Sequence, residues 1–423
     1  MAILKGNCLV AQSGGPTSVI NASACGVIQE AFKSGEIDRV YGALHGVAGI
    51  LNEDLFLFND EIPEEIELMK VTPASALGSC RYKLKSIEAS EKDYRRILDV
   101  FEAHNIRYFF YIGGNDSMDT ANKVSQYAIK VGYELRSVGV PKTIDNDLPI
   151  TDHTPGFGST AKFIATSIKE VGLDARVYNY PTVTVCELMG RNAGWITASS
   201  ALAKGAEDDA PHFIYLPEVP FSFEKFGRDV KSALDKYNYA VIAFSEGIKT
   251  EDGRYVSEIE DPNAVKDAFG HVQLGGASEV LERYVMDNLC KKVRTVNYSS
   301  IQRCAAHWAS LTDNEESFMC GQMAVRYAIE GHTGKMVGMV RGKGKDYTCE
   351  TQLIDLEDVA NKEKKIPPEW ISAEGNFVKQ PYIDYVRPLI EGEVKIRMES
   401  GLPRYARLQR KLIAKKLEKW DVK

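Results

Sequence analysis

Residues 7–32 read Asn7-Cys8-Leu9-Val10-Ala11-Gln12, then Ser13-Gly14-Gly15-Pro16-Thr17, then Val19-Ile20 through Phe32. The apolar run Cys8–Ala11 predicts a strand, because adjacent apolar residues suit a strand buried on both faces. The glycine–proline turn ends that strand, and the next segment has the apolar period of a helix. Strand, glycine turn, helix is the start of a doubly wound α/β unit. The turn sets free N–H groups and a helix N-terminus where an anion can sit. A Gly-Gly turn on its own often only reverses the chain, so recurrence decides its meaning.

The unit does recur. Arg39–Ala43 predicts a strand, with Gly42, Gly46 and Gly49 punctuating its end and the loop beyond it. Arg107–Ile112 predicts a buried strand ending at Gly113-Gly114-Asn115-Asp116-Ser117-Met118-Asp119, ahead of a helix that Ser117 or Asp116 could cap. Val138-Gly139-Val140 reads as the end of another strand, stopped at Pro141, which has no N–H for a ladder. Lys142-Thr143-Ile144-Asp145-Asn146-Asp147 comes next. If that segment stays extended, Asp145 and Asp147 share a face, which suits a metal or a proton transfer. A polar Asx-turn is the plainer alternative. Thr182–Leu188 predicts a strand ending in Met189-Gly190-Arg191, where an arginine beside glycine suits a bidentate phosphate contact or a surface salt bridge. Phe213–Leu216 and Ala240–Phe244 predict two more strands, the second closed by Ser245-Glu246-Gly247. Strand ends on one rim of a parallel sheet are where ligands bind.

Elsewhere the spacing predicts helices over Glu91–His104, Lys162–Gly172, Ser222–Lys236 and Glu315–Glu330. Residues 52–70 are acidic and are expected at the surface, residues 249–270 form a polar excursion, and the last twenty residues read as a basic amphipathic helix. Gly156-Phe157-Gly158-Ser159-Thr160-Ala161 fits a dinucleotide spacing, but Pro149, Asp152, His153 and Pro155 precede it in place of a strand. A nicotinamide dehydrogenase is therefore set aside.

A chain of 423 residues is expected to form two domains. Its apolar fraction of 44% and charged fraction of 26% are those of a globular protein. With a net charge of −7 and no basic block, it lacks the electrostatic footprint for nucleic acid or an anionic membrane. Eight scattered cysteines make no CxxC pair and seven histidines show no ligand spacing, which argues against zinc and against a disulfide framework. Reduced thiols, a short N-terminus and no membrane-length apolar run make the cytoplasm the expected compartment.

Six junctions occur in order: Ser13-Gly14-Gly15, Gly113-Gly114-Asn115-Asp116-Ser117, Pro141 through Asp147, Met189-Gly190-Arg191, Ser245-Glu246-Gly247 and Ile301-Gln302-Arg303. In this set the chain resembles the phosphofructokinase family, in particular its pyrophosphate-dependent members. The resemblance runs from the first strand to the helix near residue 330 and implies two doubly wound (Rossmann-like) α/β domains with the active site in the cleft between them. It further implies a phosphoryl-donor domain of residues 1–148 plus about 300–355, and a sugar-phosphate domain of about 149–299 plus about 356–423.

The resemblance assigns roles to residues. Asp145 is expected as the base that takes the proton from the sugar's 1-hydroxyl, flanked by Thr143 and Asp147. Gly14 lies at the donor turn and Arg81 reaches the donor phosphates. Met189, Gly190, Arg191 and Glu246 match sugar-phosphate contacts, as do Arg294 and Arg303, one of the two arginines acting across a subunit boundary. A homodimer or homotetramer is expected on that ground. The metal is expected to be Mg²⁺, held by Asn115 or Asp116. Asn115 stands where the family usually has aspartate, so one formal charge on the metal is missing.

Asp116 and Lys142 stand where ATP-using members usually have glycine. The Asp116 carboxylate fills the space of a nucleotide's α-phosphate, and the Lys142 ammonium is available to the leaving phosphate. Leu44 replaces a common adenine-side tyrosine. The expected reaction is therefore reversible transfer from pyrophosphate to fructose 6-phosphate. Alternatives are an ATP-dependent enzyme, a kinase of sedoheptulose 7-phosphate and a non-catalytic sugar-phosphate-binding subunit. Thr182, where the family has another arginine, and Ser300, where many members have histidine or tyrosine, leave the sugar open.

Overall fold

A computed structural model of the chain describes residues 4–80, 82–259 and 276–420. The first strands are β1 (Gly6–Gln12), β2 (Ile37–Ala43), β3 (Leu55–Leu57), β4 (Ile106–Gly113) and β5 (Arg136–Pro141). Then come β6 (Thr182–Leu188), β7 (Phe213–Tyr215), β8 (Tyr239–Ser245), β9 (Val293–Asn297), β10 (Lys335–Arg341) and β11 (Cys349–Asp355).

They form two sheets. The larger has the order β11-β10-β5-β4-β1-β2-β3, parallel from β10 to β2, with β11 and β3 antiparallel at its edges. The smaller, β7-β8-β6-β9, is wholly parallel. β1, β6 and β8 are buried along their whole length, as strands covered by helices on both faces must be. Parallel pairing sets the C-terminal ends of β5, β4 and β1 side by side on one rim. The ends of β6 and β8 are likewise adjacent on the other sheet.

One face of the larger sheet is covered by Ile20–Lys33 and Leu311–Ile329, which cross backbone to backbone. A Cβ on Gly26 would overlap the Phe318 carbonyl, and one on Gly321 would overlap that of Ser23. Only residues without side chains permit this approach. The helix Leu311–Ile329 thus returns the late chain to the first sheet, where β10 and β11 complete it.

Several sequence expectations change. Residues 52–70 are not simply surface: Leu55, Phe56, Phe58, Ile66 and Met69 are buried, and β3 is cut from this stretch. Three helices begin earlier than the apolar period suggests, at Asn115, Phe157 and Leu311, because their first turns hold small or polar residues facing neighbours. Gly114, not Ser117 or Asp116, is the N-cap of Asn115–Val131.

The tail is the largest correction. Residues 404–420 are extended rather than helical. Their backbone N–H groups find partners outside the tail: Gln409 and Arg410 donate to Glu61, Arg407 to Glu65, and Lys416 and Leu417 to Glu53. Leu412 bridges Phe56, and Ile413 N–H donates to the Leu55 carbonyl at 2.9 Å, so the tail extends the edge at β3. Carboxylates and a free strand edge thus satisfy amides that a helix would otherwise pair internally.

Candidate active site

A cleft of about 330 Å³ opens where the two rims face each other. One wall is Gly15-Pro16-Thr17 after β1 and Lys142–Asp145 with Asp147 after β5; the other is Met189–Ala193 after β6, Glu246 after β8, Arg303 and Glu363.

The donor-side wall is set by strand geometry. Lys142 N–H donates to the Gly113 carbonyl at 3.0 Å, continuing the β4–β5 ladder past Pro141. Gly14 has φ of +76°, a left-handed turn that glycine adopts without strain. Lys142 is buried and its ammonium donates to the Gly15 carbonyl at 2.7 Å, bridging the two strand ends. Burial pulls its pKa down to about 8, with Arg303 adding to the fall, while Asp145 and Asp147 oppose it.

The segment after Lys142 does not stay extended. Thr143 bridges Gly156, its Oγ1 accepts from Asp145 N–H at 3.1 Å, and Asn146 adopts the left-handed region at φ +53°. The turn nevertheless brings both Asp145 and Asp147 to the cleft. Strand-like alternation does not produce this arrangement, because one left-handed residue resets the side-chain period. Burial raises Asp145 to about 7, helped by Asp147 and Glu246 and opposed by Lys142. Asp147 is also raised, chiefly by burial. A base poised near neutrality matches general-base chemistry.

Asn115 and Asp116 open the helix after β4, beside this wall. Asn115 Nδ2 donates to Asp147 Oδ2 at 3.2 Å, and its buried Oδ1 has no partner among the described residues. Asp116 is paired with Lys83 at 3.0 Å. The unpartnered amide oxygen beside a half-buried carboxylate is a hard oxygen set that fits a divalent cation. Arg81 lies outside the described residues.

On the facing wall, Gly190 turns at φ +124° and its carbonyl accepts from Ser245 Oγ at 2.6 Å. Met189 N–H donates to Gln302 Oε1 at 3.1 Å, and Glu246 N–H to the Leu188 carbonyl at 2.8 Å. These bonds tie the ends of β6 and β8 to the short helix carrying Arg303. Arg191 and Arg303 line the cleft, and each keeps a buried Nε–H without a partner among the described residues. Burial, with Glu187 nearby, raises Glu246 to about 7 against the pull of Arg191.

Arg294 is not brought to this cleft. It sits on edge strand β9, paired with Asp174 at 3.0 Å and donating to Tyr178 Oη at 2.7 Å. Two polar cleft residues, Glu363 and Asn192, are not among those the sequence singles out. Glu363 lies in the charged run 362–365 and accepts from Asn192 Nδ2 at 3.0 Å. Asn192 directly follows Met189-Gly190-Arg191 and was detectable by adjacency, whereas nothing local distinguishes Glu363 from its charged neighbours.

Among the described residues, no helix is long and apolar enough to cross a membrane. The model of the phosphofructokinase family matches residues 7–296. The chain is 43% identical over 419 residues to the pyrophosphate–fructose 6-phosphate 1-phosphotransferase of Halomonas elongata, covering 98% of this chain and 99% of that one. It is 26% identical over 362 residues to the ATP-dependent 6-phosphofructokinase of Clostridium acetobutylicum, covering 83% and 97%. A crystal structure of the pyrophosphate-dependent phosphofructokinase from Nitrosospira multiformis superposes with a TM-score of 0.90 at 40% identity, covering 98% of this chain and 100% of that one. With cleft, family match and full-length similarity in agreement, the chain belongs to the phosphofructokinase family.

Proposed function

We propose that this chain is a phosphotransferase that moves a phosphoryl group reversibly between pyrophosphate and the 1-hydroxyl of fructose 6-phosphate, giving fructose 1,6-bisphosphate and phosphate in glycolysis. The observation that carries this reading is Lys142: a buried ammonium fixed between the Gly15 turn and the catalytic aspartates.

Asp145 takes the proton from the 1-hydroxyl as its oxygen attacks the donor's phosphorus, and the P–O bond to the departing phosphate breaks. Its pKa near 7 leaves the ionised form available at neutral pH and lets it return the proton in the reverse direction. Lys142 places positive charge on the departing phosphate, and Thr143 orders the loop through the Asp145 N–H. Asp147 supports Asn115. Gly14 shapes the donor turn, and Arg81 is assigned to the donor phosphates. Arg191 and Arg303 offer their Nε–H groups to the sugar's phosphate, and Glu246, beside Met189 and Gly190, accepts from a sugar hydroxyl. Asn115, with Asp116 after release from Lys83, would hold Mg²⁺, which neutralises donor charge when bound. Phosphoryl transfer depends on such positioning and neutralisation more than on covalent help.

We assign residues 1–148 and about 300–355 to donor binding, with the tail 404–420 packed on the β3 edge of that unit, and about 149–299 with about 356–403, through the Met189 and Glu246 loops, to the sugar. A cytoplasmic homo-oligomer, dimer or tetramer, completes the reading. A coupled assay offering pyrophosphate and then ATP tests it. Turnover with pyrophosphate in both directions is expected; turnover with ATP alone would overturn it.

A further inference from the structure

The turn that delivers Asp145 and Asp147 hinges on the residue between them. Asn146 is fully buried and left-handed, at φ +53°. Its Nδ2 donates to Tyr385 Oη at 2.9 Å, while its Oδ1 has no partner among the described residues. Tyr385 is therefore the one described side-chain anchor of this amide. It lies near the end of the helix Gln380–Val386, 239 residues further along the chain.

Tyr385 is itself fixed from several sides. Its hydroxyl donates to the Asp152 carbonyl at 2.7 Å, and its own carbonyl accepts from Arg341 Nη2 at 2.9 Å. The Arg341 guanidinium lies 4.8 Å from its ring centre and pairs with the Asp152 carboxylate at 3.0 Å. The ring also packs 5.4 Å from Trp195 and 5.4 Å from Trp370. One hydroxyl thus gives its proton to Asp152 and offers its lone pair to Asn146. A rigid aromatic group presents a fixed acceptor to a residue whose backbone conformation is costly for anything but glycine or asparagine.

We infer that Tyr385 is a positioning residue for the catalytic loop: by holding the Asn146 amide it fixes the left-handed turn that aims Asp145 and Asp147 into the cleft. It does not line the cleft. The inference rests on the phosphoryl-transfer reading above. A displacement of the base by a fraction of an ångström lowers turnover without weakening ground-state binding, so the effect belongs in kcat rather than KM.

The test is a double-mutant cycle with Tyr385→Phe and Asn146→Gly, measured as kcat and KM for pyrophosphate and fructose 6-phosphate. Tyr385→Phe keeps the ring packing and removes the acceptor. Asn146→Gly removes the amide while tolerating the left-handed backbone. Tyr385→Phe is expected to lower kcat about tenfold with both KM values within about twofold. In the Asn146→Gly background the same change should cost less than about twofold, because the bond is already gone. Losses that multiply would overturn the inference, as would a Tyr385→Phe enzyme with unchanged kcat. If Tyr385→Phe does not fold, Asn146→Gly against the unaltered chain serves instead, because it removes the same bond from the other side while keeping the left-handed turn accessible. The glycine variant should lose about tenfold in kcat with both KM values within about twofold; an unchanged kcat would reject the idea. No turnover by the unaltered chain fails the parent reading and this inference together, whereas turnover with a flat cycle fails the inference alone.

Discussion

Lys142 Nζ donates to the Gly15 carbonyl at 2.7 Å, joining the loop after β5 to the turn after β1. The bond spans 127 residues of sequence and sets a cation at the seam of the donor site. Its removal is the direct test of donor choice. Lys142→Gly with Asp116→Gly is expected to lower pyrophosphate-dependent kcat/KM at least about a hundredfold, the scale on which a preorganised electrostatic group acts. The same enzyme should acquire measurable turnover with ATP. Unchanged pyrophosphate kinetics would refute the role given to both residues.

The pH profile of kcat/KM depends on two cleft groups. Asp145, raised to about 7, must be ionised to act as base, so the rate of sugar phosphorylation falls as pH drops through that value. Lys142, lowered to about 8, must be protonated, so the rate falls again as pH rises past it. A bell with limbs near these values is expected in the free enzyme. In Lys142→Met the remaining activity should lose the alkaline limb. A limb that persists there belongs to another group.

Asn115 faces Asp147 at 3.2 Å as a donor. Asn115→Asp replaces that bond with two carboxylates in contact. Without a divalent cation their repulsion destabilises the fold, and with Mg²⁺ the added charge tightens binding. The variant should melt several degrees lower in chelator and need about tenfold less Mg²⁺ for half-maximal activity. A melting temperature indifferent to Mg²⁺ would place the metal elsewhere.

Arg294 lies away from the cleft, on Asp174 and Tyr178. If it serves the sugar phosphate of a neighbouring subunit, Arg294→Ala raises KM for fructose 6-phosphate by roughly tenfold or more, as loss of a charge-assisted contact does. KM for pyrophosphate stays unchanged. Sedimentation should show an assembly of at least two chains. A monomeric, fully active enzyme would remove both expectations.

Gly321 meets the Ser23 carbonyl across the two long helices. Gly321→Ala forces them apart and is expected to destabilise the protein by about 1–3 kcal/mol. Urea unfolding would report it as a lower midpoint at constant slope. Catalysis at low temperature should survive, because the change lies behind the sheet.

The sequence carries the alternation of strand, glycine turn and helix in its apolar runs and turn residues, which are local signals. It also singled out most of the cleft. Gly190, Arg191, Glu246, Asp145 and Lys142 each stand at or just beyond a strand's C-terminal end, and parallel pairing brings such ends together on the rim of each sheet. What it did not contain was any relationship set by distant partners. The tail reads as a helix by local pattern, but Glu53, Glu61 and Glu65 take up its amides and hold it extended. Glu363 looks like one charge among several until the tertiary structure sets it against Asn192. The alternation argument for Asp145 and Asp147 omits the left-handed Asn146, whose anchor, Tyr385, lies far along the chain. Local periodicity decides which segments become strands and helices; the direction in which a loop side chain points is decided by the tertiary hydrogen bonds that fix its backbone.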